Sequence, residues 1–312
     1  MKEFTSEEYM LIDIANLAGM DKLLWGDRIQ WAKDNWDIFS IKDADKPHQY
    51  AEAIKQYTGA RKGKVWTKPI GLDATFSGVS IMAVLEHCIP SGIATNLCDS
   101  SWRYDVYTEV ADEFGFTREE IKQPLMTTFY SSVATPKALL GDRYPEFMES
   151  VITKLPGAWD VMKSIEAMHD PDMAIVQWTL PDGHVAQVKH LAPVDHRIET
   201  DKMGSFTYRI YENLSTDNHR QLCPNVIQSL DAYIAREVVR KCNGKVLPIH
   251  DAFYALPKDL NAVRKAYVNA LVKLAETDLT KMYEEIAGKK INWIKQDNDF
   301  VALLRNAEYA LS

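Results

Sequence analysis

Two aspartates far apart in the chain, Asp73 in GLDATFSG and Asp251 in LPIHDAF, bracket a third block that reads RxxxKxxxxxxxY, from Arg118 through Lys122 to Tyr130. Two carboxylates can hold divalent metal ions that activate a 3′-hydroxyl and neutralise a departing pyrophosphate, and a cationic block on a helix can hold a triphosphate between them. That chemistry works only if the two acids meet. The chain must therefore fold back so that segments from both ends lie side by side. Taken together, the three blocks read as a nucleotidyl-transfer site.

Each block alone also fits an ordinary structural role. An Asp after a short apolar strand such as PIGLD often serves as a turn or cap residue. His250-Asp251 follows VLPI and fits a strand end or hairpin turn equally well. Lys122 and Tyr130 are eight positions apart, near two helical turns of about 3.6 residues each, so they can share a face as residues on many helices do. The order and contents of the blocks, more than any one of them, point to the chemistry.

That combination resembles the single-subunit DNA-directed RNA polymerases of bacteriophages and mitochondria, which share a right-hand architecture with the family A DNA polymerases. The resemblance runs from ANLAGMDKLLWGDRIQWAKDNWDIF through DATFSG, REEIKQPLMTTFY and IVQWTLPDG to PNVIQSLD and PIHDAF. It implies that Asp73 and Asp251 ligate two magnesium ions, with the backbone carbonyl of Ala74 as a further ligand, and that His250 belongs to the catalytic HD pair. Arg118, Lys122 and Tyr130 match the fingers-helix residues that contact the incoming nucleotide. The partners implied are a DNA template, the RNA product and ribonucleoside triphosphates.

Residue chemistry bears on the sugar. Related DNA polymerases carry a Glu five positions after the metal-binding Asp, where it obstructs a ribose 2′-hydroxyl; here that position is Gly78. With no side chain it permits close approach by a ligand. Tyr130 can offer its phenolic hydroxyl to the network that recognises the 2′-oxygen. Plain turn-glycine and core-tyrosine roles remain open for both. Three positions depart from the family pattern: Ser131 follows the tyrosine where Gly is usual, Gln228 in PNVIQSLD stands where the phage enzymes often have His, and Ala252 replaces the Ser that usually follows HD. Gln228 retains hydrogen-bonding capacity and is assigned to the nucleotide-binding group.

A chain of 312 residues with 46% hydrophobic content can bury a sizeable core. No apolar run approaches the roughly 20 residues of a membrane span, and MKEFTSEEYM is too acidic and polar for a secretory signal, so a cytoplasmic protein is expected, in the bacterial host cytoplasm if phage-encoded. Cys88, Cys98, Cys223 and Cys242 form no CxxC pair and read as free buried thiols. His184, His190 and His196 read as structural or solvent-facing. The net charge of −8 opposes nucleic-acid binding as a whole-chain average, but distribution matters more. Lys55, Arg61, Lys62, Lys64 and Lys68 fall in one acid-free stretch that could face nucleic-acid phosphates, with Tyr57 or Trp66 for packing or stacking, or could be a solvated loop. Arg236, Arg240 and Lys241 could face a primer strand or only water.

The expected fold is α+β and mainly helical. Amphipathic helices are predicted over GDRIQWAKDNWDIF and HQYAEAIKQY, a strand over KPIGLDAT, a helix over VSIMAVLEHC, and helix-rich structure from about Asp105 to Ser164. AIVQWTLPDGHVAQVKHL reads as a hairpin, HRIETDKMG with SFTYRIYENL as a second strand pair, and VLPIHDAFYAL as strand-turn-strand. The resemblance places a palm at 1–100 and 226–312 and inserted fingers, with a hairpin region, at 101–225. It lacks the upstream and thumb domains, so a second polypeptide is expected to supply them in a heterodimer and to cover the segment around Tyr9 to Leu24 through an interface larger than about 2,000 Å². A Met start without a tag favours a natural subunit over a fragment. A related DNA polymerase or primase and a non-catalytic nucleic-acid-binding subunit are the other readings.

Overall fold

The computed structural model describes residues 1–98, 101–189, 191–214 and 219–312. Its first helix, α1 (Ser6–Leu17), opens on a capping box in which Thr5 and Glu8 satisfy each other's backbone N–H groups. The helix buries Tyr9, Leu11, Ile12, Ile14 and Ala15 against α2 (Trp25–Asn35) and α3 (Pro47–Ala60). The Tyr9–Leu24 segment, expected to await a partner chain, is thus largely spent on this chain's own core, because α1 is apolar around most of its circumference.

After α3 the chain forms β1 (Ile70–Asp73), then α4 (Ser77–Glu86) and α5 (Ile89–Ala94). Every residue of α4 from Gly78 to Leu85 is buried, and the helix forms the centre of the core. The next segment is helical, as expected: α6 (Val106–Phe114), α7 (Arg118–Thr128), α8 (Ala134–Leu140), α9 (Tyr144–Lys154) and α10 (Pro156–Glu166). Two hairpins follow. β2 (Ile175–Thr179) pairs with β3 (Val185–Lys189), burying Val176 and Trp178, and β4 (Leu191–Thr200) pairs with β5 (Gly204–Asn213), a ribbon whose side chains are mostly exposed. The long α11 (Leu222–Lys241) leads to β6 (Leu247–Ile249), β7 (Ala252–Ala255), α12 (Leu260–Glu276), α13 (Thr280–Ala287) and α14 (Phe300–Leu304). α10, α11 and α12 all pack on α4.

The small sheet β1-β7-β6 decides where the site lies. β1 and β7 pair antiparallel from Ile70↔Ala255 to Asp73↔Ala252, and the two-residue turn His250-Asp251 joins β6 to β7. Strand alternation turns Ile70, Leu72, Phe253 and Ala255 into the core. Gly71, Asp73, Ala252 and Tyr254 consequently share the opposite face. Gly71 is required there, since a Cβ would lie 2.5 Å from the Tyr254 ring.

Several surface expectations resolve as packing. Tyr57 and Trp66 are both buried, so neither ring is open for base stacking. Lys68 pairs with buried Asp13 at 2.5 Å, and Arg61 lies over the Trp36 ring. Arg236 grips Asp182 through two hydrogen bonds of 2.7 and 3.1 Å, while Arg240 bridges Asp182 and Glu237. All four cysteines are free and buried. His184 is exposed and His196 stacks on Tyr208, whereas His190 lies outside the described residues. Among the described residues no helix is long and apolar enough to cross a membrane.

Candidate active site

Asp73 ends β1, and the chain leaves it through a pinned turn. The Ala74 N–H donates to the Asp251 carbonyl at 3.2 Å, tying the two acid-bearing segments backbone to backbone. Asn96 Nδ2 donates to Thr75 Oγ1 and to the Tyr104 carbonyl, and Ser80 Oγ donates to the Thr75 carbonyl. Phe76 takes a left-handed backbone (φ 53°) to enter α4, a conformation costly outside glycine. Its ring offsets this by stacking on Tyr107 at 5.0 Å and meeting Phe129 edge-on at 5.8 Å.

On the facing side, Thr117 and Glu120 form a capping box that starts α7 at Arg118. Arg118, Lys122, Met126 and Tyr130 recur every four residues and line one pocket. Arg118 Nε donates to Asp105 at 2.8 Å, and the guanidinium sits over the Tyr107 ring, so its position is braced from two sides. The helix stops at Thr128, two residues short of Tyr130. Tyr130 is held instead by a tighter turn, its N–H reaching the Thr127 carbonyl at 3.0 Å. Next comes Ser131 with φ 63°, which accounts physically for a glycine preference at that position, and its buried hydroxyl has no hydrogen-bond partner among the described residues.

The cleft between these elements has a volume of about 460 Å³ and is lined by Asp73, Ala74, Gly78, Arg118, Lys122, Tyr130 and Asp251 among others. Gly78 and Tyr130, separate in sequence, meet directly: a Cβ on Gly78 would lie 2.6 Å from the Tyr130 hydroxyl oxygen. Gln228 and His250 do not line the cleft. Gln228 is exposed on α11, and His250 is exposed in the β6–β7 turn with φ 55°. His250 still lies near enough to bear electrostatically on Asp231, and it shares the β6–β7 turn with Asp251.

Asp73 keeps solvent contact at the cleft mouth while protein crowds its other sides. Burial, reinforced by the neighbouring charge of Asp251 and opposed by Lys122, pushes its carboxyl up to about 6. Asp231, one helical turn after Gln228, is also pushed up to about 6, by burial and then by Asp251. It stands as a third acid near the pair that sequence reasoning did not select. Burial likewise raises the Tyr130 phenol, with Asp231 and Asp251 adding to it. Asp21, Lys22, Arg103, Asp105, Tyr107 and Ser312 also line the cleft. Asp21-Lys22 fall within the quoted AGMDK run, but nothing in their spacing marked them.

Among the described residues no group of three or more His, Cys, Asp or Glu side chains is poised to enclose a metal ion. Two carboxylates, Asp73 and Asp251, lining one open, polar cleft nonetheless suit magnesium, which takes one or two carboxylates and fills its shell with substrate phosphates and water. Asp73 and Asp251 would supply the protein's share.

Residues 4–115 match the family model described as DNA-dependent RNA polymerase. The matched stretch includes Asp73, Ala74 and Gly78 and stops short of Arg118. Compared with curated proteins, the chain has no match.

Proposed function

We propose, starting from a nucleotidyltransferase of the DNA-dependent RNA polymerase kind, that this chain is the catalytic subunit of a two-chain, phage-type RNA polymerase. The observation that carries the reading is the convergence of Asp73, Asp251, Lys122, Arg118 and Tyr130 on one cleft, although three separate segments supply them. In this reading the β1-β7-β6 sheet with its flanking helices is the palm, assembled from both ends of the chain. The helices from α6 to α10 are the inserted fingers, and the β4–β5 ribbon lies towards template DNA.

The reaction joins an RNA 3′-hydroxyl to the α-phosphorus of a ribonucleoside triphosphate and releases pyrophosphate. Two magnesium ions, when bound by Asp73 and Asp251, supply electrostatic stabilisation of the transferring phosphoryl group. The protein's own part is to hold charges in place before the substrate arrives. Lys122 presents a cation to the phosphates and offsets charge that develops as pyrophosphate leaves. Arg118, braced on Asp105, adds a fixed fork beside it. The missing side chain of Gly78 lets the Tyr130 hydroxyl pack close above it, and both line the cleft where a ribose 2′-oxygen would meet the phenol.

The second chain would supply a thumb and the surfaces that grip duplex or hybrid, which an acidic chain holds poorly alone. Its contact must lie elsewhere than α1, and the protein would work in the cytoplasm. Primed, template-directed incorporation by the purified chain, with and without a co-purifying partner, tests the reading. Asp73→Asn and Asp251→Asn should each lower incorporation by more than about 100-fold without unfolding the protein. Near-wild-type turnover in either variant would overturn the site, and long transcripts from this chain alone would overturn the two-chain part.

A further inference from the structure

The cleft is lined by more cations than the nucleotide-binding block accounts for, interleaved with five aspartates. Besides Arg118 and Lys122, it is lined by Lys22, Lys46 and Arg103. Lys22 is paired with Asp21 and Arg118 with Asp105, and Lys46 is exposed at the rim. Arg103 is different. It is half-buried, lines the cleft, and forms no ion pair among the described residues.

Its orientation is nevertheless set. Arg103 Nε donates to Ser312 Oγ at 3.0 Å, and the Ser312 backbone exchanges hydrogen bonds with Asp73, N–H to carbonyl at 2.9 Å and the reverse at 3.4 Å. The guanidinium is therefore tied through one residue to the end of the strand that carries Asp73. Its remaining N–H groups, four of the five a guanidinium owns, meet no acceptor among the described residues. Burial opposes the Arg103 charge first, Asp21, Asp105 and Asp73 sustain it, and Arg118 repels it, while Arg103 in turn repels Lys22. Asp21 and Asp105 are already bonded to Lys22 and Arg118, so the fixed guanidinium keeps donors to spare in the cleft. A polyanion spanning the three cations would take them up.

We propose that Arg103 is a polyphosphate-binding residue, whose Nη groups receive the β,γ end of the incoming triphosphate and hold the pyrophosphate product. The proposal rests on the nucleotidyl-transfer reading for its substrate. It assigns to Arg103 the terminal phosphates, with Lys122 nearer the reacting phosphorus, and it makes product release partly a matter of breaking a two-pronged contact.

Calorimetric titration with inorganic pyrophosphate and with a nucleoside monophosphate tests it, on wild type, Arg103→Gln and Arg103→Lys, alongside template-directed incorporation. Arg103→Gln should weaken pyrophosphate binding by about 10- to 100-fold, the loss of a charge-assisted contact. Monophosphate affinity should not change. Arg103→Lys keeps the charge and so the fold, but loses the fork, and should weaken pyrophosphate by several-fold. Product inhibition by pyrophosphate should relax in the same ratio. Wild-type pyrophosphate affinity in the variants, or in the lysine variant if it alone folds, overturns the proposal, as does equal weakening for pyrophosphate and monophosphate. The two readings fail separately: pyrophosphate binding that depends on Arg103 without any incorporation removes the polymerase reading and leaves the anion site, whereas incorporation with unchanged pyrophosphate affinity removes only the role of Arg103.

Discussion

Gly78→Ala probes the sugar side of the cleft directly. The added Cβ would stand 2.6 Å from the Tyr130 hydroxyl oxygen, 3.2 Å from Cζ and 3.5 Å from Cε1. The first contact is well inside van der Waals distance, so the phenol ring must swing. Forced overpacking of this kind costs about 1–3 kcal/mol. Exchanging Gly for Ala within a helix returns up to about 1 kcal/mol, so the net loss should be roughly 0–2 kcal/mol. Tyr130→Phe deletes the offending oxygen and leaves the 3.2 Å contact with the ring as the tightest. The double variant should therefore be more stable than the sum of the single changes by about 1–2 kcal/mol. Urea denaturation of wild type, both single variants and the double variant gives the coupling energy, and ribonucleotide incorporation should fall in Gly78→Ala and recover partly in the double variant. Stabilities that add within about 0.5 kcal/mol would mean that the two residues do not touch in solution, and the reasoning about the 2′-hydroxyl pocket would fail with them.

Other outcomes follow from the same geometry. Tyr130→Phe should keep most activity but lower the ratio of ribo- to deoxynucleotide incorporation efficiency by roughly 2- to 13-fold, the value of one hydrogen bond of about 0.5–1.5 kcal/mol; an unchanged ratio would remove Tyr130 from sugar recognition. Asp73 and Asp231 are raised to about 6 from burial and from Asp251, so the stability linked to their protonation is complete below an unfolded value of about 4 and lost as pH rises through 6. Magnesium should then raise the melting temperature more at about pH 7.5 than at about pH 5, and Asp73→Asn should flatten that difference; equal increments at both pH values would argue against a metal site at these acids. Ser131→Gly should stabilise the protein by about 1 kcal/mol in urea denaturation, because it removes a left-handed non-glycine residue and an unpartnered buried hydroxyl. A loss of stability there would show that the serine side chain contributes a contact of its own.

Much of the local architecture is legible in the residues themselves. Capping boxes at Thr5 and Thr117, the Pro-Asp-Gly turn between β2 and β3, and the all-apolar run of α4 are dictated by backbone hydrogen-bond satisfaction, turn chemistry and burial, which act over a few residues. The three chemical blocks could be found because residue type and order survive in one dimension. Other features depend on which segments meet. The strand-pair register that sets Asp73 opposite Ala252, the contact of Gly78 with the Tyr130 phenol, the nearness of Asp231 to Asp251 and the tethering of Arg103 to Ser312 join residues with no periodic relation. Tertiary packing also decided against some plausible surfaces. Tyr57, Trp66 and α1 have the composition of nucleic-acid or partner contacts, yet all are consumed by the core, since an apolar side chain is buried by whichever neighbour the fold supplies first. Residue chemistry thus singled out which side chains to look for, and only long-range packing decided which charges stand together in the cleft and which are neutralised elsewhere.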